Sequence, residues 1–339
     1  MAKSIGETIL EVADLQTELI TKMGVVKAVD GVSFSLRQGE TLGIVGESGS
    51  GKSMTALSLL RLTPRPVARV VGGRVMFKGQ NLLDYSPEHM RRVRGRHISM
   101  VLQDPQTSLN PVYTIGSQIT EAIAMHRDVP RRERLSQAVA ALRQVRVAAP
   151  RQRVADHPHQ MSGGMKQRVV GAIAISCEPE VLIADEPTTA LDVTIQAQYL
   201  RLLRDIQEQH GLSIIFITHD FGIVADMCDQ VAVMYAGRIV EFGPVRGIFN
   251  RPAHPYTQAL LNSVPAVDRP VERLYSIPGQ PPTLWNLPRG CRFAPRCAVA
   301  ESRCHNEYPP ALPAHGATSG HHQASCWKLE DPTWPPQTS

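Results

Sequence analysis

The sequence predicts an α/β protein with a largely parallel central sheet, a helical insert and a loop-rich C-terminal extension. Three observations carry that prediction. Short apolar runs rich in β-branched residues, "TLGIV" (41–45), "VLIAD" (181–185) and "SIIFIT" (213–218), alternate with helical patterns, and each ends where polar residues begin. The hydrophobic period turns helical between about residues 114 and 160. Fifteen of the 26 prolines lie after residue 250, so long helices are not expected there.

In chain order, "KAVDGVSFSLRQGE" reads as antiparallel strands near the N-terminus. "TLGIV" then leads into "GESGSGKS" (46–53), which opens a helix. In the insert, Ile115, Ile119, Ala122 and Ile123 fall at i, i+4, i+7 and i+8; Leu135, Val139 and Leu142 repeat that face, with "RDVPRRERLS" separating the two helices. "VLIAD" and "SIIFIT" resume the sheet. "VAVMYAGRIVEFG" (231–243) reads as a hairpin turning at Ala236-Gly237. The expected organisation is a core over 8–250 and a proline-rich extension over 251–339.

A chain of 339 residues with 42% apolar and 20% charged residues buries a real core, in two domains or in one with an appendage. The formal charge of +5 suits anionic headgroups or nucleotides but falls short of a nucleic-acid footprint, so no nucleic-acid partner is expected. "MAKSIGETILEVADLQ" alternates apolar and acidic residues and has no signal-peptide apolar region. No stretch approaches the ~18 apolar residues that cross a bilayer. The expectation is a cytosolic protein with reduced thiols that meets a membrane only through a partner.

The chemistry begins at "GESGSGKS", a strand–loop–helix context that suits a phosphate-binding P-loop. Its glycines let successive backbone N–H groups and the helix N-terminus point at phosphate oxygens. Lys52 would reach the β- and γ-phosphates, and the Ser53 hydroxyl would ligate Mg²⁺. Asp185 ends an apolar strand, where it can hold a Mg²⁺-bound water. Glu186 is then placed as general base for the attacking water, although an acidic pair that only caps the next helix is also compatible.

Motif order narrows the choice. "VLQDP" lies between the P-loop and the insert, "MSGGMKQR" (161–168) precedes "VLIADEP", and "TALD" (189–192) and "ITHD" follow it. This set resembles the nucleotide-binding subunits of ABC transporters over roughly residues 8–250. The resemblance implies a P-loop NTPase core with an antiparallel β subdomain and a helical subdomain. It makes Gly46, Glu47, Ser48, Gly49, Ser50, Gly51, Lys52 and Ser53 the Walker A loop, and Asp185 and Glu186 the Walker B aspartate and catalytic glutamate. Gln103 becomes the Q-loop glutamine, a Mg²⁺ and water contact. Ser162, Gly163 and Gly164 become the signature centre that receives the γ-phosphate of ATP held by the opposite subunit. Asp192 is the D-loop aspartate, and His219 the switch histidine. The signature departs from the family in its flanks, Met161 and Met165. Met23 stands where the family stacks an aromatic on adenine, so that role stays unassigned.

"QDPQTSLNP" (103–111), "AHPYTQALLNSVP" (253–265), "IPGQPP" (277–282) and "GCRFAPRC" (290–297) resemble the oligopeptide/dipeptide importer ATP-binding subunits, nearly along the whole chain. That implies an ATPase working with two permease subunits, an external solute-binding protein and a second ATP-binding subunit, a paralogue being favoured over a second copy. The implied location is the cytoplasmic face of the inner membrane. Nickel, glutathione and antimicrobial-peptide importers share this ATPase type, and soluble non-transport ABC ATPases form a more distant alternative.

Six cysteines remain. Cys177 and Cys228 sit in apolar contexts and read as small buried side chains. Cys291, Cys297, Cys304 and Cys326 lie in the proline-rich extension, where a reduced Cys₄ set suits zinc or an iron–sulfur cluster. Their spacing matches neither the close pairs of structural zinc sites nor a ferredoxin. The resemblance to importer ATPases with this tail implies a 4Fe-4S cluster, with Zn²⁺ or no metal as alternatives. His305, His315, His321 and His322 are near enough to substitute as ligands but read as exposed loop residues.

Overall fold

The computed structural model describes residues 5–189, 191–264, 275–316 and 322–334. The chain divides into two compact units, neither continuous in sequence. One comprises residues 1–10, 36–41 and 77–217, and the other 11–35, 42–76 and 218–339.

The first unit is built on the parallel strands Ile98–Val101, Val181–Asp185 and Ser213–Ile217, in register Ile98 to Val181 and Val181 to Ser213. Every residue of the latter two strands is buried, as continuous apolar runs in a parallel sheet require. The insert forms the helices Ile115–His126 and Arg131–Gln144. Ile115, Ile119 and Ile123 are buried as expected, and Ala122 is half-buried. The second helix differs from expectation in two ways. It starts at Arg131 directly after Pro130, so most of "RDVPRRERLS" is helical; proline's fixed φ suits a helix start. Of the expected face, Leu142 is buried and Val139 half-buried, but Leu135 is 54% exposed, and Ala138 and Ala141 complete the inward stripe.

In the second unit, Thr8–Thr21 and Gly24–Arg37, which lie mostly in it, are neighbouring strands. Their two-residue connection makes them antiparallel. "KAVDGVSFSLR", expected to hold more than one strand, is therefore a single strand paired with residues 8–21. Gly31 takes a left-handed conformation (φ +77°) without ending the strand, and Asp30 is held there by Arg238 and Arg292. Strand Thr41–Val45 runs parallel to Gln230–Tyr235, which turns at Ala236-Gly237 into the antiparallel Arg238–Pro244. The C-terminal extension adds to this edge: Gln323–Ala324 pairs with Arg238–Pro244, and Leu312–Pro313 with Gln323–Ala324. Ala253, Ala314, Ala324, Cys326 and Leu329 form a small core beneath it. Among the described residues, no helix is long and apolar enough to cross a membrane.

Candidate nucleotide site

The loop 46–53 joins the buried strand Thr41–Val45 to the helix Lys52–Leu59. Gly51 shows why the loop needs glycine: its φ is +104°, and a Cβ there would stand 2.4 Å from the Ala28 carbonyl oxygen. Lys52 is buried, and its Nζ donates to the carbonyl oxygens of Gly46 (2.8 Å) and Glu47 (3.1 Å). The ammonium is thereby held within the loop. Among the described residues, the buried Ser50 Oγ has no hydrogen-bond partner, a polar atom suited to an incoming phosphate oxygen. His219 belongs to the same unit, and is exposed just after Thr218.

The acidic pair lies in the first unit. Asp185 is the buried last residue of its strand. Glu186 adopts φ +45°, unusual for a non-glycine residue and costing about 1–2 kcal/mol. It is held there by its own N–H donating to the Ile217 carbonyl (2.9 Å). Its Oε2 accepts from Gln103 Nε2 at 2.9 Å and from Thr189 Oγ1 at 3.0 Å. Strained backbone over-determined by neighbours is a mark of functional positions. With its nitrogen turned to Glu186, the Gln103 amide presents oxygen as its acceptor. In the first unit, Gln103 and Asp185 offer amide and carboxylate oxygens, and in the second Ser53 offers a hydroxyl, each a hard oxygen donor of the kind Mg²⁺ takes.

Two segments show helix-start chemistry. Ser162 caps the helix Gly163–Ile175, its Oγ accepting from Met165 N–H at 3.4 Å, so Gly163 and Gly164 fall in the first turn with its anion-favouring N–H groups. Asp192 caps the helix Val193–His210 through Ile195 N–H at 3.0 Å. Met23 is 72% exposed.

The four extension cysteines line one small cavity, together with His254, Phe293, Trp327 and Lys328. Cys291 N–H donates to the Cys304 carbonyl at 2.8 Å, and Gly290 makes that approach possible, since a Cβ there would meet the same carbonyl oxygen at 2.2 Å. Burial is the main cause of the raised thiol pKa values, with neighbouring cysteines adding to it: about 11 for Cys291, about 12 for Cys326, and upward for Cys297. Among the described residues, no group of three or more His, Cys, Asp or Glu stands in a metal-holding arrangement. Four soft donors around one cavity nonetheless suit zinc or an iron–sulfur cluster by donor type. Cys177 and Cys228 are buried, as expected. Of the histidines, His305 is exposed, His315 half-buried, and His321 lies outside the described residues. His322 departs from expectation: it is buried and pairs through Nε2 with Glu241 Oε1 at 2.8 Å, because the strand beside it is drawn onto the sheet edge.

Sequence reasoning missed the residues that hold the loop from outside. Tyr256 Oη accepts the Glu47 N–H at 2.9 Å, and the Arg296 guanidinium grips the Glu47 carboxylate at 2.7 and 3.1 Å. Both fall in strings singled out only as patterns, "AHPYTQALL" and "GCRFAPRC"; the arginine–proline–aromatic content of the latter was the available signal.

Comparison with known proteins gives consistent matches. The family described as ABC transporter matches residues 29–189, and the family described as oligopeptide/dipeptide transporter, C-terminal region, matches residues 240–304. The chain is 52% identical over 327 residues to a probable peptide ABC transporter ATP-binding protein of Sinorhizobium fredii, covering 96% of each. It is 47% identical over 325 residues to a dipeptide transport ATP-binding protein of Bacillus subtilis, again covering 96% of each. In fold it is similar to cbiO1 of Clostridium perfringens, part of an ABC transporter complex, with TM-score 0.62 and 29% identity over 72% of this chain and 91% of that one.

Proposed function

The chain belongs to the family of ABC transporter ATP-binding subunits that carry the oligopeptide/dipeptide transporter C-terminal region, and on that premise we propose that it hydrolyses ATP to power import of di- or oligopeptides across a membrane. As such a subunit it is an ATPase that works with membrane-spanning permeases. The finer reading sets it on the cytoplasmic face of the inner membrane, paired with a paralogous ATP-binding subunit and served by an external solute-binding protein. One loop and one signature segment per chain support the pairing, because each needs a complement on another chain.

In this reading the backbone N–H groups of residues 46–53, with Lys52, hold the β- and γ-phosphates. Ser53, Gln103 and Asp185 would hold Mg²⁺, which when bound neutralises phosphate charge. Glu186 takes a proton from the attacking water as the water oxygen bonds to the γ-phosphorus and the bond to the ADP oxygen breaks. His219 hydrogen-bonds the γ-phosphate. The N-terminus formed by Ser162, Gly163 and Gly164 binds the γ-phosphate on the other subunit, with Asp192 fixing the helix beside it. ATP favours the closed pair over the open one, and loss of the γ-phosphate releases it.

The observation that carries the reading is Glu186, strained at φ +45° and joined to Gln103 at 2.9 Å. The test is the transporter reconstituted in vesicles with its permeases and binding protein. Peptide-stimulated ATP hydrolysis and uptake, both lost in Lys52→Ala, are expected. Hydrolysis indifferent to every peptide while nickel or glutathione stimulates it would overturn the peptide assignment.

For the extension, the reading is a 4Fe-4S cluster on Cys291, Cys297, Cys304 and Cys326, with zinc as the second choice; four cysteines around one cavity support it. A bound group of either kind staples an extension too poor in core to fold alone. Protein purified without oxygen should absorb near ~400 nm and carry about four iron atoms per chain. A colourless protein with one zinc would move the assignment to zinc, and neither metal would remove it.

A further inference from the structure

The Walker A loop is gripped from the C-terminal extension, and the grip converges on Glu47. Arg296 has its side chain only 4% exposed and uses all five guanidinium N–H donors. Nη1 donates to Glu47 Oε2 (2.7 Å) and to Tyr235 Oη (3.3 Å). Nη2 donates to Glu47 Oε1 (3.1 Å) and the Ile277 carbonyl (3.3 Å), and Nε to the Pro278 carbonyl (2.9 Å). The fork on Glu47 is bidentate, a geometry that lysine cannot reproduce.

A second contact holds the same residue by its backbone. Glu47 N–H donates to Tyr256 Oη, and Tyr256 is fully buried against Tyr235 and Phe293, with ring centroids at 4.6 and 5.3 Å. A third acts through the hairpin: Arg292 bonds Asp30 and the Ala236 carbonyl, and the neighbouring Gly237 N–H donates to the Ser50 carbonyl at 2.8 Å. Within the loop, Glu47 passes its position on. Its carbonyl accepts from Ser50 N–H at 3.2 Å and from Lys52 Nζ at 3.1 Å.

We propose that Arg296, with Tyr256, is a positioning residue for the phosphate-binding loop, so that nucleotide affinity depends on the extension being docked. This rests on the reading that the loop binds ATP. Arg296 touches no phosphate in this scheme. It orients Glu47, which sets Ser50 and Lys52, and a loop left to reorient loses backbone donors aimed at the β- and γ-phosphates. The proposal accounts for two strings that catalysis leaves unused. "GCRFAPRC" supplies Arg292, Phe293 and Arg296, and "IPGQPP" supplies the two carbonyls that complete the arginine's shell.

The experiment compares the full chain with Arg296→Met, Arg296→Lys, Glu47→Gln and the double variant Arg296→Met/Glu47→Gln. The readouts are fluorescent ADP titration, steady-state hydrolysis and urea unfolding. Arg296→Met is expected to weaken nucleotide binding and raise KM about tenfold with kcat within about threefold, the pattern of lost uniform binding. Arg296→Lys should recover only part of the loss. The double variant should be no worse than Arg296→Met alone, since both remove one interaction. A folded Arg296→Met with affinity and KM within about twofold of the parent overturns the proposal. If Arg296→Met does not fold, Tyr256→Phe, which keeps the ring packing and removes the Glu47 contact, decides in the same way. A parent chain that fails to bind MgATP overturns instead the ATP reading on which this one stands.

Discussion

Replacing Glu186 with glutamine separates the proton-accepting role proposed for it from its place in the fold. Glu186 Oε2 accepts two hydrogen bonds, from Gln103 and from Thr189. Glutamine keeps a carbonyl oxygen there, so both contacts survive with less charge assistance, and the loss of stability should stay under about 1 kcal/mol. The φ of +45° strains either side chain alike. Basicity is what disappears. A positioned general base contributes about 10²–10⁴ in rate, so saturated turnover should fall by that factor, or about 3–5 kcal/mol of barrier. Nucleotide affinity should stay within about threefold, and the ATP-bound closed pair should accumulate. The assay is phosphate release at saturating MgATP, with fluorescent-nucleotide titration, light scattering and urea unfolding on the same sample. Glu186→Ala serves as control: it also releases Gln103 and Thr189, and should cost about 1–2 kcal/mol of stability besides turnover. Turnover in Glu186→Gln within tenfold of the parent would refute the base assignment. A collapse of affinity in that variant would assign the residue to binding instead.

Two other outcomes follow from the packing. Gly51→Ala meets the Ala28 carbonyl at 2.4 Å from a φ of +104°, and should cost about 2–4 kcal/mol in urea unfolding and abolish nucleotide binding; a stable variant that binds ADP normally would show that the loop tolerates a side chain. His254 is fully buried, and burial holds its pKa down at about 3 against a hydrogen bond to the Ser325 backbone that raises it. The unfolded chain takes that proton near ~6.5, so stability is complete above that pH and is lost on acidification, by up to about 1.4 kcal/mol per pH unit. His254→Asn keeps an N-cap acceptor for Tyr256 N–H and should remove that part of the slope; an unchanged slope in the variant would refute the account.

The buried strands Val181–Asp185 and Ser213–Ile217, the hairpin at Ala236-Gly237 and the strand–loop–helix at 46–53 could all be read from the sequence. In each the determining chemistry is local: a continuous apolar run fills a doubly covered strand, and glycines give the loop its left-handed turns. The same holds for Ser162 and Asp192, whose capping partners lie three residues ahead. Periodicity did less well with Leu135, because a helical pattern names a stripe but not the neighbour that covers it. "KAVDGVSFSLR" suggested more than one strand because nothing local shows that Asp30 is secured by Arg238 and Arg292, 208 and 262 residues away.

Composition and motif order therefore determined the nucleotide chemistry of this protein. Only the tertiary structure decided what steadies it. Glu47 and Arg296 stand 249 residues apart, and neither carries a local signature of the other. Four cysteines spread over residues 291–326 come to one cavity by the path of the chain between them. A contact closed over so long a loop is recorded in no spacing, since it depends on every element folded in between.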